Sequence, residues 1–278
     1  MRGGNELRFA AMLTAPVALT IAGSDNSAGA GVQADLKTFT ALGVYGLTAV
    51  TCVVAEIPGR VSAIAPVPPE VVAEQIRLSF SAYPVAAVKT GMLHSRECIE
   101  AICDTLEAIE SRPPVIVDPV MVATSGAPLL KQDAMEAYRS RLFPMAALVT
   151  PNLDEVTALL GWPVSSVEEM RQAGRELCKR FGANFLLKGG HLRGEAIDTL
   201  VTLDGDVADF TAPRVAGVAT HGTGCTFSAS IAAGLAHGMK LQEAIARGKQ
   251  FVTHAIATHF RWQRPESETH ALNHRVIV

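Results

Sequence analysis

Val17-Ala18-Leu19-Thr20-Ile21-Ala22 runs into Gly23-Ser24-Asp25-Asn26-Ser27-Ala28-Gly29, and the chain continues from Gly31 to Leu42 with apolar residues at helical spacing. A short apolar run closed by turn-forming residues reads as a buried strand, and the segment after it as a helix. Strand, glycine-rich turn and helix in that order open a βαβ unit, the building block of a parallel sheet.

The same alternation continues outward. Thr48–Ala55 reads as a second strand, followed by the turn Ile57-Pro58-Gly59-Arg60 and a short strand over Val61–Pro66. A helix over Pro69–Tyr83 leads to a strand at Ala86–Thr90, and a helix over Ser95–Ser111 leads to the strand Val115–Val117. Asp133–Phe143 reads as helix, Ala147–Thr150 as strand, Leu153–Leu160 and Val167–Phe181 as helices, and Asn184–Lys188 as strand. Ile197–Leu203 and Val207–Thr211 flank the Asp204-Gly205 turn as an antiparallel pair, and Thr226–His237 and Leu241–Phe260 close the series as helices. The pattern predicts an α/β fold with a mostly parallel sheet. With no long linker, repeat or low-complexity tract, one domain is expected over residues 17–265. Residues 266–278 are expected to be a tail, and Met1–Pro16 a disordered extension or sequence upstream of a start near Met12.

Composition narrows the function. The chain has 278 residues, 49% of them hydrophobic, and a formal net charge of −3 without a Lys/Arg-rich run. That balance argues against nucleic acid or an anionic membrane as the main partner and favours small molecules. The five cysteines (Cys52, Cys98, Cys103, Cys178 and Cys225) have no paired metal-binding spacing and read as reduced thiols of a cytoplasmic protein.

Polar residues collect at the carboxyl ends of the predicted strands: Asp25, Glu56, Lys89, Asp118, Asn152 with Glu155, and Lys188. Ligands of open parallel sheets bind in the crevice beyond those ends. Each residue alone is also explained as a helix cap or first-turn charge, but their recurrence points to a shared cleft. Thr220-His221-Gly222-Thr223-Gly224-Cys225-Thr226 precedes an apolar helix. It reads either as an anion-binding helix N-terminus, with the helix end lowering the pKa of the Cys225 thiol, or as a plain glycine-rich loop before a core helix.

These residues carry a resemblance. Gly23-Ser24-Asp25 with Gly29-Ala30-Gly31-Val32-Gln33-Ala34-Asp35-Leu36-Lys37-Thr38-Phe39 resembles the N-terminal motif of the hydroxymethylpyrimidine/phosphomethylpyrimidine kinases of thiamin biosynthesis. Val88-Lys89-Thr90-Gly91-Met92-Leu93, Asp118-Pro119-Val120-Met121, Thr150-Pro151-Asn152-Leu153, Lys188-Gly189-Gly190-His191 and His221-Gly222-Thr223-Gly224-Cys225-Thr226 follow that family's pattern in order. The resemblance implies a ribokinase-like three-layer α/β/α sandwich with a small strand flap. It also implies phosphorylation by ATP of 4-amino-5-hydroxymethyl-2-methylpyrimidine and then of its monophosphate, with Mg²⁺, in a homodimer. Carried over, Gly222, Thr223 and Gly224 hold the transferring phosphoryl group and Cys225 meets the substrate hydroxyl. Lys188, Asn152, Thr124 and Thr220 serve the nucleotide, and Asp118 and Glu155 the metal. Ala22, Val54 and Met92 clasp the ring, and Asp25 binds its hydroxymethyl group.

Two positions depart from the family. Its members carry glutamine in an Ala-Gln-Asn-Thr run where this chain has Ala55-Glu56-Ile57-Pro58. A carboxylate accepts from a ring amine, but it pairs with the adjacent ring nitrogen only if one partner is protonated. Glu56 therefore implies either a shared proton with the same substrate or a related pyrimidine or pyridine such as pyridoxal. Ala123-Thr124-Ser125 stands where many relatives have Ala-Lys-Ser, which removes a cation from the nucleotide side. The same pocket without turnover would make a pyrimidine-binding regulatory domain, a reading that the Gly-Thr-Gly-Cys turn with Lys188 and Glu155 opposes.

Overall fold

The computed structural model describes residues 14–121, 133–190, 192, 194–215, 218, 221–264 and 267–275. Nine strands form one sheet in the order β3-β2-β1-β4-β5-β6-β7-β8-β9. They are β1 (Val17–Asp25), β2 (Tyr45–Ile57), β3 (Arg60–Pro66), β4 (Val85–Thr90), β5 (Val115–Val117), β6 (Leu148–Val149), β7 (Phe185–Lys188), β8 (Ala196–Val201) and β9 (Val207–Ala212). The run from β2 to β7 is parallel, while β3 at one edge and β8 and β9 at the other pair antiparallel.

Side-chain alternation along the strands builds two separate cores. Leu19, Ile21, Val88, Val115, Val117, Val149 and Leu187 point to one face, where they meet α2 (Pro69–Ala82), α3 (Arg96–Glu107), α5 (Leu153–Leu160) and α6 (Val167–Phe181). Ala18, Ala87, Ile116, Leu148 and Leu186 point to the other, against α1 (Gly31–Ala41), α7 (Thr223–Ala236) and α8 (Leu241–Ala257). Strands buried on both faces read as continuous apolar runs, which is why β1 and β5 stand out in the sequence. β1 lies between β2 and β4, which it joins through α1 on one face and, after the β2–β3 hairpin, through α2 on the other. A parallel sheet opens a ligand crevice at such a switch in direction.

Several boundaries differ from the sequence reading. β1 continues to Asp25 and β2 reaches Ile57, so Gly23, Ser24 and Glu56 lie on strands rather than in loops. β2 outruns β1 and folds back onto β3, from Cys52↔Pro66 to Ile57↔Arg60, forming a flap over the strand ends. The helix expected over Asp133–Phe143 is α-helical only at α4 (Ala134–Ala137). It continues as a π turn over Tyr138–Leu142 and a 3₁₀ turn over Phe143–Met145, where Pro144 cannot donate to the preceding turn. α7 starts at Thr223, three residues early, and α8 stops at Ala257.

Phe260, expected as helix, starts β10 (Phe260–Arg264), which pairs antiparallel with β11 (Ser267–Ala271) in the segment expected as a tail. Beyond it Leu272 enters the second core, and His274 Nε2 lies 3.0 Å from Thr226 Oγ1 on α7. Among the described residues no helix is long and apolar enough to cross a membrane.

Candidate active site

The carboxyl ends of the parallel strands open into a cavity of about 670 Å³, within the roughly 300–1,000 Å³ of small-molecule sites. Ala22, Val54 and Met92 give one end an apolar wall beneath the flap residues Ile57, Arg60 and Val61. Lys249, Val252, Thr253 and Ile256 of α8 also line the cavity, with Pro213, Arg214 and Val215. Asp118, Asn152, Glu155, Lys188 and the turn Gly222–Cys225 lie along the same cavity.

Asp25, at the end of β1, turns its carboxylate inward. Oδ1 accepts from Ser27 N–H at 2.6 Å, and Oδ2 accepts from Ala30 N–H at 2.8 Å, Ser27 Oγ at 3.0 Å and Gly29 N–H at 3.2 Å. His221 Nε2 lies 3.2 Å from the same oxygen. Although burial pushes this carboxyl up, the bonds from His221, Ser27 and Ala30 outweigh it and hold the pKa at about 2. The structure thus gives Asp25 a task the sequence did not suggest: it organises the 26–30 loop, in which Ala28 adopts a left-handed φ of 57°.

The anion turn is the first turn of α7 itself. Gly222 is the N-cap at φ 81°, and the first intrahelical bond runs from Thr226 N–H to Gly222 O. The amides of residues 223–225 therefore belong to a helix end with no side-chain cap, where a negative charge is favoured. A Cβ on Gly224 would lie 3.1 Å from Lys188 Nζ and 3.7 Å from Asp118 Oδ2, so glycine keeps this turn in contact with the cation and carboxylate opposite. Desolvation in the cavity wall pushes the partly exposed Cys225 thiol up to about 11, with Lys89 opposing and Asp118 and Asp35 adding to the rise, so the thiol is not held as a thiolate.

Across the turn, Lys188 Nζ donates to Asp118 Oδ1 at 2.8 Å. Burial alone would lower the Lys188 pKa, but Asp118 and Glu155 raise it and keep the ammonium charged. Asn152 Oδ1 accepts from Glu155 N–H at 2.9 Å while Glu155 Oε2 accepts from Asn152 N–H at 2.8 Å, a reciprocal cap on α5. Burial pushes the Glu155 carboxyl up to about 8 despite Lys188, with Asp118 adding like charge. With its pKa at about 8, Glu155 is held largely protonated beside the Asp118–Lys188 pair, and a cation arriving there would favour its ionised form, adding a second carboxylate to Asp118. That donor set fits a hard divalent cation that keeps most of its waters. Among the described residues no group of three or more His, Cys, Asp or Glu is placed to hold a metal directly.

The phosphomethylpyrimidine kinase family model matches residues 25–270 of this chain. The chain belongs to that family. It is 46% identical over 243 residues to the hydroxymethylpyrimidine/phosphomethylpyrimidine kinase of Rhizobium meliloti, covering 87% of this chain and 90% of that one. It is 50% identical over 240 residues to the thiamine biosynthesis bifunctional protein ThiED of Geobacter sulfurreducens, covering 86% of this chain and 48% of that protein, about half its length. Among solved structures, an ADP complex of Bacillus subtilis pyridoxal kinase superposes with a TM-score of 0.84 at 33% identity, over 94% of this chain and 98% of that one. The ribokinase-like fold implied by the motifs is therefore the fold of this phosphomethylpyrimidine kinase family member.

Within this family frame the cavity brings together Ala22, Asp25, Val54, Glu56, Met92, Asp118, Asn152, Glu155, Lys188 and Gly222–Cys225. Thr124 and Thr220 lie outside the described residues. Sequence reasoning missed the buried pair beneath the site, Lys89 of β4 with Asp35 of α1, and the α8 wall, where Lys249 Nζ donates to Asp198 Oδ2 at 2.6 Å. The available signal was a charge within an apolar-periodic stretch, as at Asp35 between Ala34 and Phe39 and at Lys249 between Ile245 and Val252.

Proposed function

We propose that this protein transfers the γ-phosphoryl group of ATP to the 5-hydroxymethyl oxygen of 4-amino-5-hydroxymethyl-2-methylpyrimidine, and a second one to the monophosphate so formed. The observation that carries the reading is the meeting of the α7 anion turn with Lys188 at one cavity that also holds the apolar residues Ala22, Val54 and Met92. In each step an oxygen–phosphorus bond forms at the acceptor as the bond to the ADP oxygen breaks. The amides of the Gly222–Cys225 turn and the Lys188 ammonium then meet the charge on the transferring group.

Phosphoryl transfer through a loose transition state needs positioning more than a strong base. A thiol held at about 11 suits that role: Cys225 orients the acceptor hydroxyl, whose proton leaves late. Mg²⁺ held through water by Asp118 and Glu155 would supply charge neutralisation on the phosphates. The Asn152–Glu155 cap fixes where the Glu155 carboxylate stands.

The test is a mass-resolved product assay with Mg-ATP, offering the pyrimidine, its monophosphate and pyridoxal side by side. Diphosphate formed from the monophosphate supports the reading. Pyridoxal phosphate as the sole product overturns it in favour of a pyridoxal kinase, and tight pyrimidine binding with no product overturns it in favour of a regulatory domain. We extend the proposal to a homodimer through the outer face of β2, where Val53 and Ile57 are exposed, to be read by light scattering.

A further inference from the structure

The loop at residues 26–30 joins the flap, the start of α1 and the anion turn. Asn26 Oδ1 accepts from Glu56 N–H at 2.7 Å, tying the loop to the flap strand β2. Lys37 Nζ donates to Ala28 O at 2.7 Å, tying it to α1. Toward the anion turn, a Cβ on Gly29 would lie 2.7 Å from His221 Cδ2, and a Cβ on Gly222 only 1.8 Å from Gly29 O. The two loops are thus in direct van der Waals contact through glycines. The hydrogen bond fixing that contact runs between His221 Nε2 and Asp25 Oδ2, side chains 14% and 2% exposed.

We propose that His221 is a positioning residue: through Asp25 it holds the anion turn Gly222–Cys225 against the 26–30 loop, setting the distance between the phosphoryl site and the acceptor pocket. The charged groups acting on the imidazole are Asp25 from β1 and Glu56 from β2. The 26–30 loop packed on its ring carries no titratable side chain, and Cys225 is the titratable group of its own turn. The bond to Asp25 raises the His221 pKa above its ordinary 6.5 against the opposing effect of burial. Below that raised pKa the imidazolium donates to Asp25. Above its pKa the imidazole loses its charge, and it keeps the bond only in the tautomer that carries the proton on Nε2.

The inference rests on the kinase reading, and its test separates the two. In the wild-type protein, the His221 ring resonances followed by NMR against pH read the pair without any turnover. Titration above 6.5 supports it, and titration at or below 6.5 overturns it whatever the substrate is. For turnover, a misplacement of about 1 Å costs on the order of 10²-fold. His221→Ala is therefore expected to lower kcat about 10- to 100-fold while KM for ATP changes less than about threefold. His221→Gln, which still donates to Asp25, is expected to recover most of that loss and to lack the alkaline decline of the wild type. Wild-type kcat in His221→Ala, or an unchanged alkaline decline in His221→Gln, overturns the proposal. If His221→Ala fails to fold, the NMR titration and the Gln variant still decide it.

Discussion

Lys89 Nζ lies 2.9 Å from Asp35 Oδ2 and 3.0 Å from Asp35 Oδ1, and neither side chain reaches solvent. Thr20 Oγ1 donates to the same carboxylate at 2.6 Å, so a complete polar cluster sits under the cavity floor between β1, β4 and α1. Removing one member of a buried ion pair leaves an uncompensated charge and costs about 3–5 kcal/mol, whereas neutralising both members costs far less. Lys89→Met is expected to destabilise the protein by that amount in urea unfolding. The double variant Lys89→Met/Asp35→Asn should recover about 2 kcal/mol or more as coupling. Additive losses would show that the two charges do not support one another.

Gly222 and Gly161 share a left-handed backbone, at φ 81° and 85°, but differ in what a side chain would meet. Nothing lies within 4 Å of a Cβ on Gly161, while one on Gly222 would be 1.8 Å from Gly29 O. Alanine costs about 1–2 kcal/mol of backbone strain at either site. Only at Gly222 must two loops also part. Gly161→Ala should lower the unfolding midpoint with kcat/KM unchanged, and Gly222→Ala should lose about 10²-fold or more in kcat/KM. Equal activity in the two variants would remove the loop contact from the catalytic geometry.

What was legible in the sequence follows from how local each signal is. β5 is found to the residue because Val115–Val117 stands between Pro113-Pro114 and Asp118-Pro119. The strand-end residues converge because a parallel sheet brings all its carboxyl ends to one rim. The Lys89–Asp35 pair was hidden because its members are 54 positions apart and on different elements. The inward turn of Asp25 depends on backbone amides that no side-chain pattern shows. The β10–β11 hairpin escaped because the apolar spacing of α8 runs on into Phe260. The raised pKa of Cys225 comes from tertiary packing that no local sequence pattern shows.

Cys225→Ser tests orientation against base strength. Serine keeps a hydroxyl at the same place in the first turn of α7 but shortens the reach to the substrate oxygen, so the fold should survive and turnover should not. Acid–base or orienting groups contribute about 10²–10⁴-fold, and kcat is expected to fall within that range, with the unfolding midpoint close to wild type. Peptide-resolved alkylation of Cys225 in the wild type should keep accelerating with pH toward about 11. A plateau near neutrality would show a thiolate and overturn the orienting role.

Glu56 gives the clearest pH signature. Burial, with the nearby Asp25 charge, raises its carboxyl pKa above the ordinary 4.5, and His221 opposes the shift only in part. A protonated carboxyl donates to a pyrimidine ring nitrogen and accepts from the neighbouring amine, whereas the ionised form sets an oxygen against the nitrogen lone pair. Affinity for the pyrimidine should therefore be greatest below the raised pKa and decline as pH rises through it. Glu56→Gln presents the donor and acceptor at every pH, so its KM should stay flat. An unpaired polar group costs about 1–3 kcal/mol, so once Glu56 is ionised the wild-type KM should stand roughly tenfold above that of Glu56→Gln, in a titration carried upward from its ordinary 4.5. Superimposable KM profiles for the two proteins would show that Glu56 does not touch the ring.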